Sequence, residues 1–360
     1  MDNSRRRFLG ISAAALAGVS LVPTMISCAD KAAPAAAPVS GGKPDSNFGG
    51  VHFGTITYSW RDMPGGLENL LKYCREANVS NLELMSNDLE ACLGAPVSPM
   101  NEIRRQMAAQ APAAGGARPG GPGGPGGPGG RPSYTPEQQA LIDKYNQDVK
   151  TFHANMDWDK VAEVRKRFND ENIFIHIVKT NPSANSSEED LDYGFKLAKA
   201  MGAVGVTTEL SLETAKHVAP FAEKHDMYLI FHNHMQYSTD EWKDGPDPVL
   251  AVSPKVMLNF DSGHYFGSTG KHPVEFIKKY KDRIVSLHIK DKTGPQTQPE
   301  PNANQVWGQG ETPLDELFAY LRDEKLPIYP DIELEYQVKP WSNSVKEVGT
   351  CIKYIRQIMI

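Results

Sequence analysis

The chain has 360 residues, 40% of them hydrophobic, and its 38 basic against 44 acidic side chains give a formal charge of −6. Such a balance excludes the basic face that a nucleic-acid partner demands. Four cysteines are too few and too scattered for a disulfide framework, and no CxxC pair is present.

The first segment is not part of the fold. Ser4-Arg5-Arg6-Arg7-Phe8-Leu9-Gly10 precedes a short apolar run from Ile11 to Pro23, too short and too weakly apolar to span a membrane. The consecutive arginines resemble a twin-arginine export signal, and Met25-Ile26-Ser27-Cys28 resembles a loose lipobox, with Cys28 the candidate lipidated residue. Residues 1–28 are therefore expected to be a signal, which places the protein in the periplasm or cell envelope. Membrane contact would then come only through an anchor at Cys28. Residues 29–48, rich in Ala, Pro, Gly and Ser, read as a flexible tether.

From residue 49 onward short apolar runs alternate with amphipathic segments. The expected strands are His52–Thr57, Asn81–Met85, Ile173–Val178, Val204–Thr208, Met227–Phe231, Val256–Phe260, Ile284–Leu287 and Ile328–Leu334. Helical patterns fall at Leu67–Ala77, 135–150, Asp159–Asn169, Glu188–Met201, Leu212–His225, Pro273–Lys281, Pro313–Glu324 and Ser344–Ile358. Eight strands alternating with helices predict an α/β fold, a single-domain (β/α)8 TIM barrel over 49–360. An open doubly wound sheet would want a Gly-rich loop after its first strand, and Gly54 stands alone there. Residues 111–132, with repeated Gly-Gly-Pro, read as a disordered insertion after the second strand. Cys74, Cys92 and Cys351 fall in helical segments and are expected to be unpaired.

Barrel chemistry sits where strands end, because the following loops form the pocket. Four apolar runs end in His232-Asn-His234, Asp261-Ser-Gly-His264, His288-Ile-Lys290-Asp291 and Glu333-Leu-Glu335. His232, Asp261, His288 and Glu335 make a mixed nitrogen and oxygen donor set for a divalent metal: Mn, Zn, Fe or Co, with Mg less suited to imidazole. Taken singly, each has a plain alternative, such as Asp261 capping the next helix. Four on four successive strands weaken those alternatives.

The motifs Phe231-His-Asn-His-Met235, Asp261-Ser-Gly-His264, Leu287-His-Ile-Lys-Asp291, Trp307-Gly-Gln-Gly-Glu311 and Glu333-Leu-Glu-Tyr-Gln337 resemble those of the xylose isomerase-like, sugar phosphate isomerase/epimerase superfamily. The resemblance spans about Gly49 to Ile360. It implies a metal-dependent isomerase or epimerase working through an enediolate on a sugar, keto-sugar or cyclitol. Relatives resembling tagatose 3-epimerase carry a Glu–Asp–His–Glu metal set, whose last three members match Asp261, His288 and Glu335. Where the first glutamate would stand is His232, as in inosose dehydratase, so the simple pair of opposed carboxylates is lost. That departure opens a lyase alternative, β-elimination from a 3-keto-glycoside or inosose-like substrate. Glu335 then serves as ligand and base, with His264, His234 and Lys290 as proton donors. Glu209, Lys179, Trp307 and Glu333 complete the substrate-binding candidates. His234 is an alternative to His232 as ligand, and Trp307 reads either as a sugar platform or as a loop anchor. A third reading is a sugar-binding lipoprotein without catalysis. The oligomeric state is not legible in the sequence.

Overall fold

The computed structural model describes residues 42–110 and 134–360. The expected signal, most of the tether and the Gly/Pro insertion lie outside the described residues. No described helix is long and apolar enough to cross a membrane.

Eight parallel strands close into a barrel: β1 (Gly54–Ile56), β2 (Asn81–Met85), β3 (Phe174–Lys179), β4 (Gly205–Glu209), β5 (Tyr228–His232), β6 (Val256–Asp261), β7 (Ile284–Ile289) and β8 (Tyr329–Ile332). Each strand pairs with the next, and β8 pairs with β1 to close the ring. The strands are short and almost wholly buried, as strands covered on both faces must be. This is the expected (β/α)8 architecture, and strand boundaries differ from expectation mainly by a residue or two at their ends. The widest differences are at β1, which joins the ladder two residues late, at β7, which runs two residues further, and at β8, which leaves it two residues early.

The outer helices follow their apolar stripes. Leu67–Ala77, Glu188–Met201 and Leu212–His225 begin and end where the periodicity does. Ser187 and Ser211 cap their helices by accepting from the backbone N–H three residues on, satisfying a donor the helix leaves free. Cys74, Cys92 and Cys351 are free thiols within helices, as expected.

Three short helices were not legible in the sequence: Ser86–Leu93, Met100–Gln110 and Ser262–Thr269. The last follows Asp261 directly and matters for the site. The expected tether also ends earlier than residue 48. Pro44 and Ser46 are buried, and Ser46 Oγ donates to the Phe53 carbonyl at 2.6 Å while its N–H reaches Ser80 Oγ at 3.0 Å. Asn47–Phe48 pairs with Val51–His52 in a small antiparallel ribbon before β1. Backbone groups that close to the core must find partners, so the packed unit begins within the stretch that composition marked as tether.

Candidate metal centre

The register of the barrel brings four donors together at the C-terminal end of the strands. His232 ends β5, Asp261 ends β6, His288 lies one residue from the end of β7, and Glu333 follows β8. One donor atom from each lies within 4.8 Å of the other three, and all four residues are buried. Asp261 divides its carboxylate. Oδ1 accepts from the His264 N–H at 2.7 Å and caps the helix Ser262–Thr269, while Oδ2 faces the cluster, 3.3 Å from His232 Nε2. Both sequence readings of Asp261, cap and cluster member, hold at once.

Glu333, not Glu335, joins the donor set. Its Oε2 is 2.7 Å from His288 Nδ1 and 3.8 Å from His232 Nε2. Glu335 lies nearer the mouth, with Oε2 3.0 Å from Lys290 Nζ and 3.6 Å from His264 Nε2. The two glutamates do share a side, since both reach the Lys290 ammonium. The ladder of β8, however, stops at Ile332, and the inner of the two carboxylates is the earlier one. The geometry groups Glu333 with the other three expected donors and places Glu335, expected in the ligand set, outside that group.

The donors suit a cation. His288 Nδ1 and Glu333 Oε2 are buried and only 2.7 Å apart, yet neither makes a hydrogen bond of proper geometry. Glu333 Oε2 is ion-paired with the Lys290 ammonium at 2.7 Å, and His288 Nδ1 is left an orphaned buried nitrogen of the kind that a bound ion would satisfy. Two imidazoles and two carboxylates also form a set that Zn, Mn or Co accepts.

Lys290, expected as a proton donor, is buried with its ammonium among three carboxylates: 2.7 Å from Asp261, 2.7 Å from Glu333 and 3.0 Å from Glu335. Burial disfavours its charge, but those anions outweigh that and hold its pKa well above the ordinary lysine value. Asp261 and Glu333 in turn are held well below theirs, burial being overcome chiefly by Lys290. His264 is pushed well down by burial and by Lys290, so it stands as a neutral imidazole. His234 is lowered too, by burial and by His232.

A second group adjoins the first. Glu209 Oε2 is 3.2 Å from His232 Nδ1 and 3.5 Å from His234 Nε2, and its Oε1 accepts from Lys179 Nζ at 3.0 Å. His234 therefore sits with Glu209 and outside the four-residue cluster. Lys179 and Glu209 are brought to the same pocket as expected, paired with each other. Trp307 is not a free platform. Its ring is buried against Phe318 and Tyr354, which makes it an anchor of the loop whose Gly308 and Gly310 N–H groups donate to Asp291.

Two buried groups escaped the sequence reading. Glu83, in the middle of β2, accepts from His288 Nε2 at 2.8 Å, Asn259 Nδ2 at 2.8 Å and Thr207 Oγ1 at 2.6 Å. Deeper in the barrel His176 Nε2 meets Asp331 Oδ2 at 2.7 Å. A cavity of about 590 Å³ opens at the opposite mouth, beside His176 and Tyr329, and none of the donors lines it. The chemistry therefore concentrates at the C-terminal face, the usual place in barrels.

Residues 203–357 match the family model of the xylose isomerase-like TIM barrels, and these residues carry β4 to β8 with every donor of the cluster. The C-terminal half of the barrel is thus similar to the xylose isomerase-like TIM barrels. Within this barrel a stretch of 81 residues is 36% identical to inosose dehydratase of Bacillus anthracis. That stretch covers 21% of the chain and 25% of the enzyme, so the match spans about a quarter of the length of the curated relative. A xylose isomerase domain protein from Alicyclobacillus acidocaldarius superposes with a TM-score of 0.56 at 13% identity, over 86% of this chain and 99% of that one. The IOLI protein, solved with a zinc atom bound, gives 0.51 at 13% identity over 86% and 98%. At such identities the superpositions show the shared fold.

Proposed function

We propose that the protein is a metal-dependent enzyme that removes a proton from carbon beside a carbonyl in a small carbohydrate or cyclitol. The observation that carries this reading is the convergence of His232, Asp261, His288 and Glu333 within 4.8 Å, with Glu335 and two neutral imidazoles at the rim. A divalent ion held by those four residues supplies positive charge beside a substrate oxygen and so acidifies the adjacent C–H. Glu335, less buried than Glu333 and free of the cluster, is placed to take that proton. Lys290 holds Glu335 at 3.0 Å and keeps its carboxylate oriented. His264, neutral and 3.6 Å from Glu335, is placed to exchange a proton with a substrate oxygen.

Isomerase or epimerase chemistry is the first form of this reading. Elimination is the second, and one observation favours it. Where an epimerase would place a carboxylate on the opposite face, this chain has His232, whose Nδ1 is already engaged by Glu209. A single base with a neutral imidazole on the same side suits loss of water or an alcohol better than return of a proton to the far face. The stretch shared with a dehydratase supports the same direction. Export to the periplasm through residues 1–28 belongs to this proposal, since an envelope enzyme would meet free sugars and glycosides.

The deciding experiment incubates Mn- or Zn-loaded protein with keto-sugars, inososes and 3-keto-glycosides in D2O, followed by NMR, with His288→Ala as control. Deuterium entering the product without loss of a group supports isomerisation, and release of water or an aglycone supports elimination. Metal-dependent change with no substrate sinks the enzyme reading, and absence of bound metal sinks the centre as well. Ligand assignment is tested by comparing Glu333→Gln with Glu335→Gln. The first should lose metal, whereas the second should keep it and lose turnover.

A further inference from the structure

Each imidazole of the cluster faces a carboxylate on its far side: His232 Nδ1 meets Glu209, and His288 Nε2 meets Glu83. The two partners differ. Glu209 is partly exposed, whereas Glu83 is sealed inside the barrel with no accessible surface.

Three donors pin the Glu83 carboxylate. Thr207 Oγ1 holds Oε1 at 2.6 Å, and Asn259 Nδ2 and His288 Nε2 both reach Oε2 at 2.8 Å. These come from β4, β6 and β7, so four strands fix one carboxylate. On the opposite side of the same imidazole, His288 Nδ1 is buried, makes no hydrogen bond, and lies 2.7 Å from Glu333 Oε2. The ring of His232 stands 4.6 Å away, centroid to centroid. An imidazole with one nitrogen bonded to a fixed anion and the other facing a cluster of ligands has only one useful tautomer. With Glu83 fixed against Nε2, the tautomer that leaves Nδ1 able to bind a cation is the one with its proton on Nε2.

We propose that Glu83 is a positioning residue for the metal centre, holding His288 as an Nε2–H donor so that Nδ1 binds the cation. The inference rests on the metal-dependent reading above. It assigns a role to a fully buried mid-strand residue of β2. Outer partners of this type orient the ligand and raise its basicity, and their loss commonly lowers metal affinity about 10–100-fold.

The test uses the full chain with Zn2+ as the probe. Glu83→Gln keeps the shape of the side chain and removes its charge. Calorimetric titration should show at least a tenfold loss of Zn2+ affinity relative to wild type. Asp331→Asn is the comparison, because Asp331 is equally buried and engages His176, at 2.7 Å. It should cost stability without a comparable loss of affinity. Independently, 15N spectra of the zinc-loaded wild type should show the His288 proton on Nε2 and coordination through Nδ1, a readout that stands even if the variant fails to fold. Binding by Glu83→Gln within twofold of wild type, or coordination through Nε2, overturns the proposal while leaving the metal centre intact. A wild type without Zn2+ affinity overturns the function reading and this inference with it.

Discussion

Replacing Lys290 by methionine probes the charge balance of the centre directly. The side chain is 2% exposed and its ammonium lies 2.7, 2.7 and 3.0 Å from three carboxylates. Methionine fills nearly the same volume, so packing changes little and the loss is electrostatic. Removing one partner of a buried ion pair costs about 3–5 kcal/mol, because the remaining charge is left uncompensated in a poor solvent. An unfolding entropy of about 2.1 cal/mol/K per residue gives roughly 0.7 kcal/mol/K over residues 42–360, so the melting temperature should fall by about 4–8 °C. The assay is thermal unfolding by circular dichroism, first with chelator and then with saturating Zn2+ or Mn2+. In chelator Lys290→Met should melt below wild type by that margin. With metal the variant should gain more than wild type does, since a divalent ion neutralises the carboxylates the lysine no longer serves. Equal melting temperatures in chelator, or equal gains from metal, would refute the claim that Lys290 balances this cluster.

Phe260 is 1% exposed and stacks on Phe276 with centroids 4.1 Å apart, so Phe260→Ala should cost about 3–5 kcal/mol in urea unfolding. A loss under about 1 kcal/mol would contradict a tightly filled layer between β6 and its helix. At Gly205 an added methyl would lie 2.4 Å from the Tyr228 carbonyl oxygen, a backbone atom with no freedom to retreat. Gly205→Ala should therefore destabilise by about 1–3 kcal/mol, measured in the same way. Burial raises the Glu83 pKa, but His288, Lys179 and Thr207 outweigh it and lower the value to about 2. A carboxylate depressed in the folded state adds stability that is full above its unfolded value, about 4.3, and is lost as pH falls toward 2. Glu83→Gln should accordingly flatten the acid limb of a stability–pH profile between those values, and an unchanged limb would remove Glu83 as its source.

What was legible in the sequence follows from where each signal sits. Strands such as Val256–Asp261 announce themselves because a run buried on both faces is apolar throughout, and a polar residue at its end then stands out. His232, Asp261 and His288 were found in that way. Glu83 was not, because it lies in mid-strand within Asn-Leu-Glu-Leu-Met, where a lone carboxylate reads as the solvent face of an alternating pattern. Only closure of the barrel turns that face inward. The choice between Glu333 and Glu335 depends on the residue at which β8 leaves the ladder, and a run of alternating glutamates holds no such mark. Trp307 was ambiguous for a related reason: its neighbours Phe318 and Tyr354 are distant in sequence, and only the folded chain brings them to its ring.

Asp261 places one side chain in two economies, since Oδ1 secures a helix start and Oδ2 faces the ligand cluster. The two duties respond differently to the two obvious substitutions. Asp261→Ala removes the cap and the cluster-facing oxygen together, and Asp261→Asn keeps a capping oxygen only by turning its amide nitrogen toward Lys290 and His232. Because Asp261 Oδ1 holds the His264 N–H, the first turn of Ser262–Thr269 would report occupancy of the proposed ion site. Amide exchange at His264, slow with the ion bound and faster without it, would read the centre from outside the pocket.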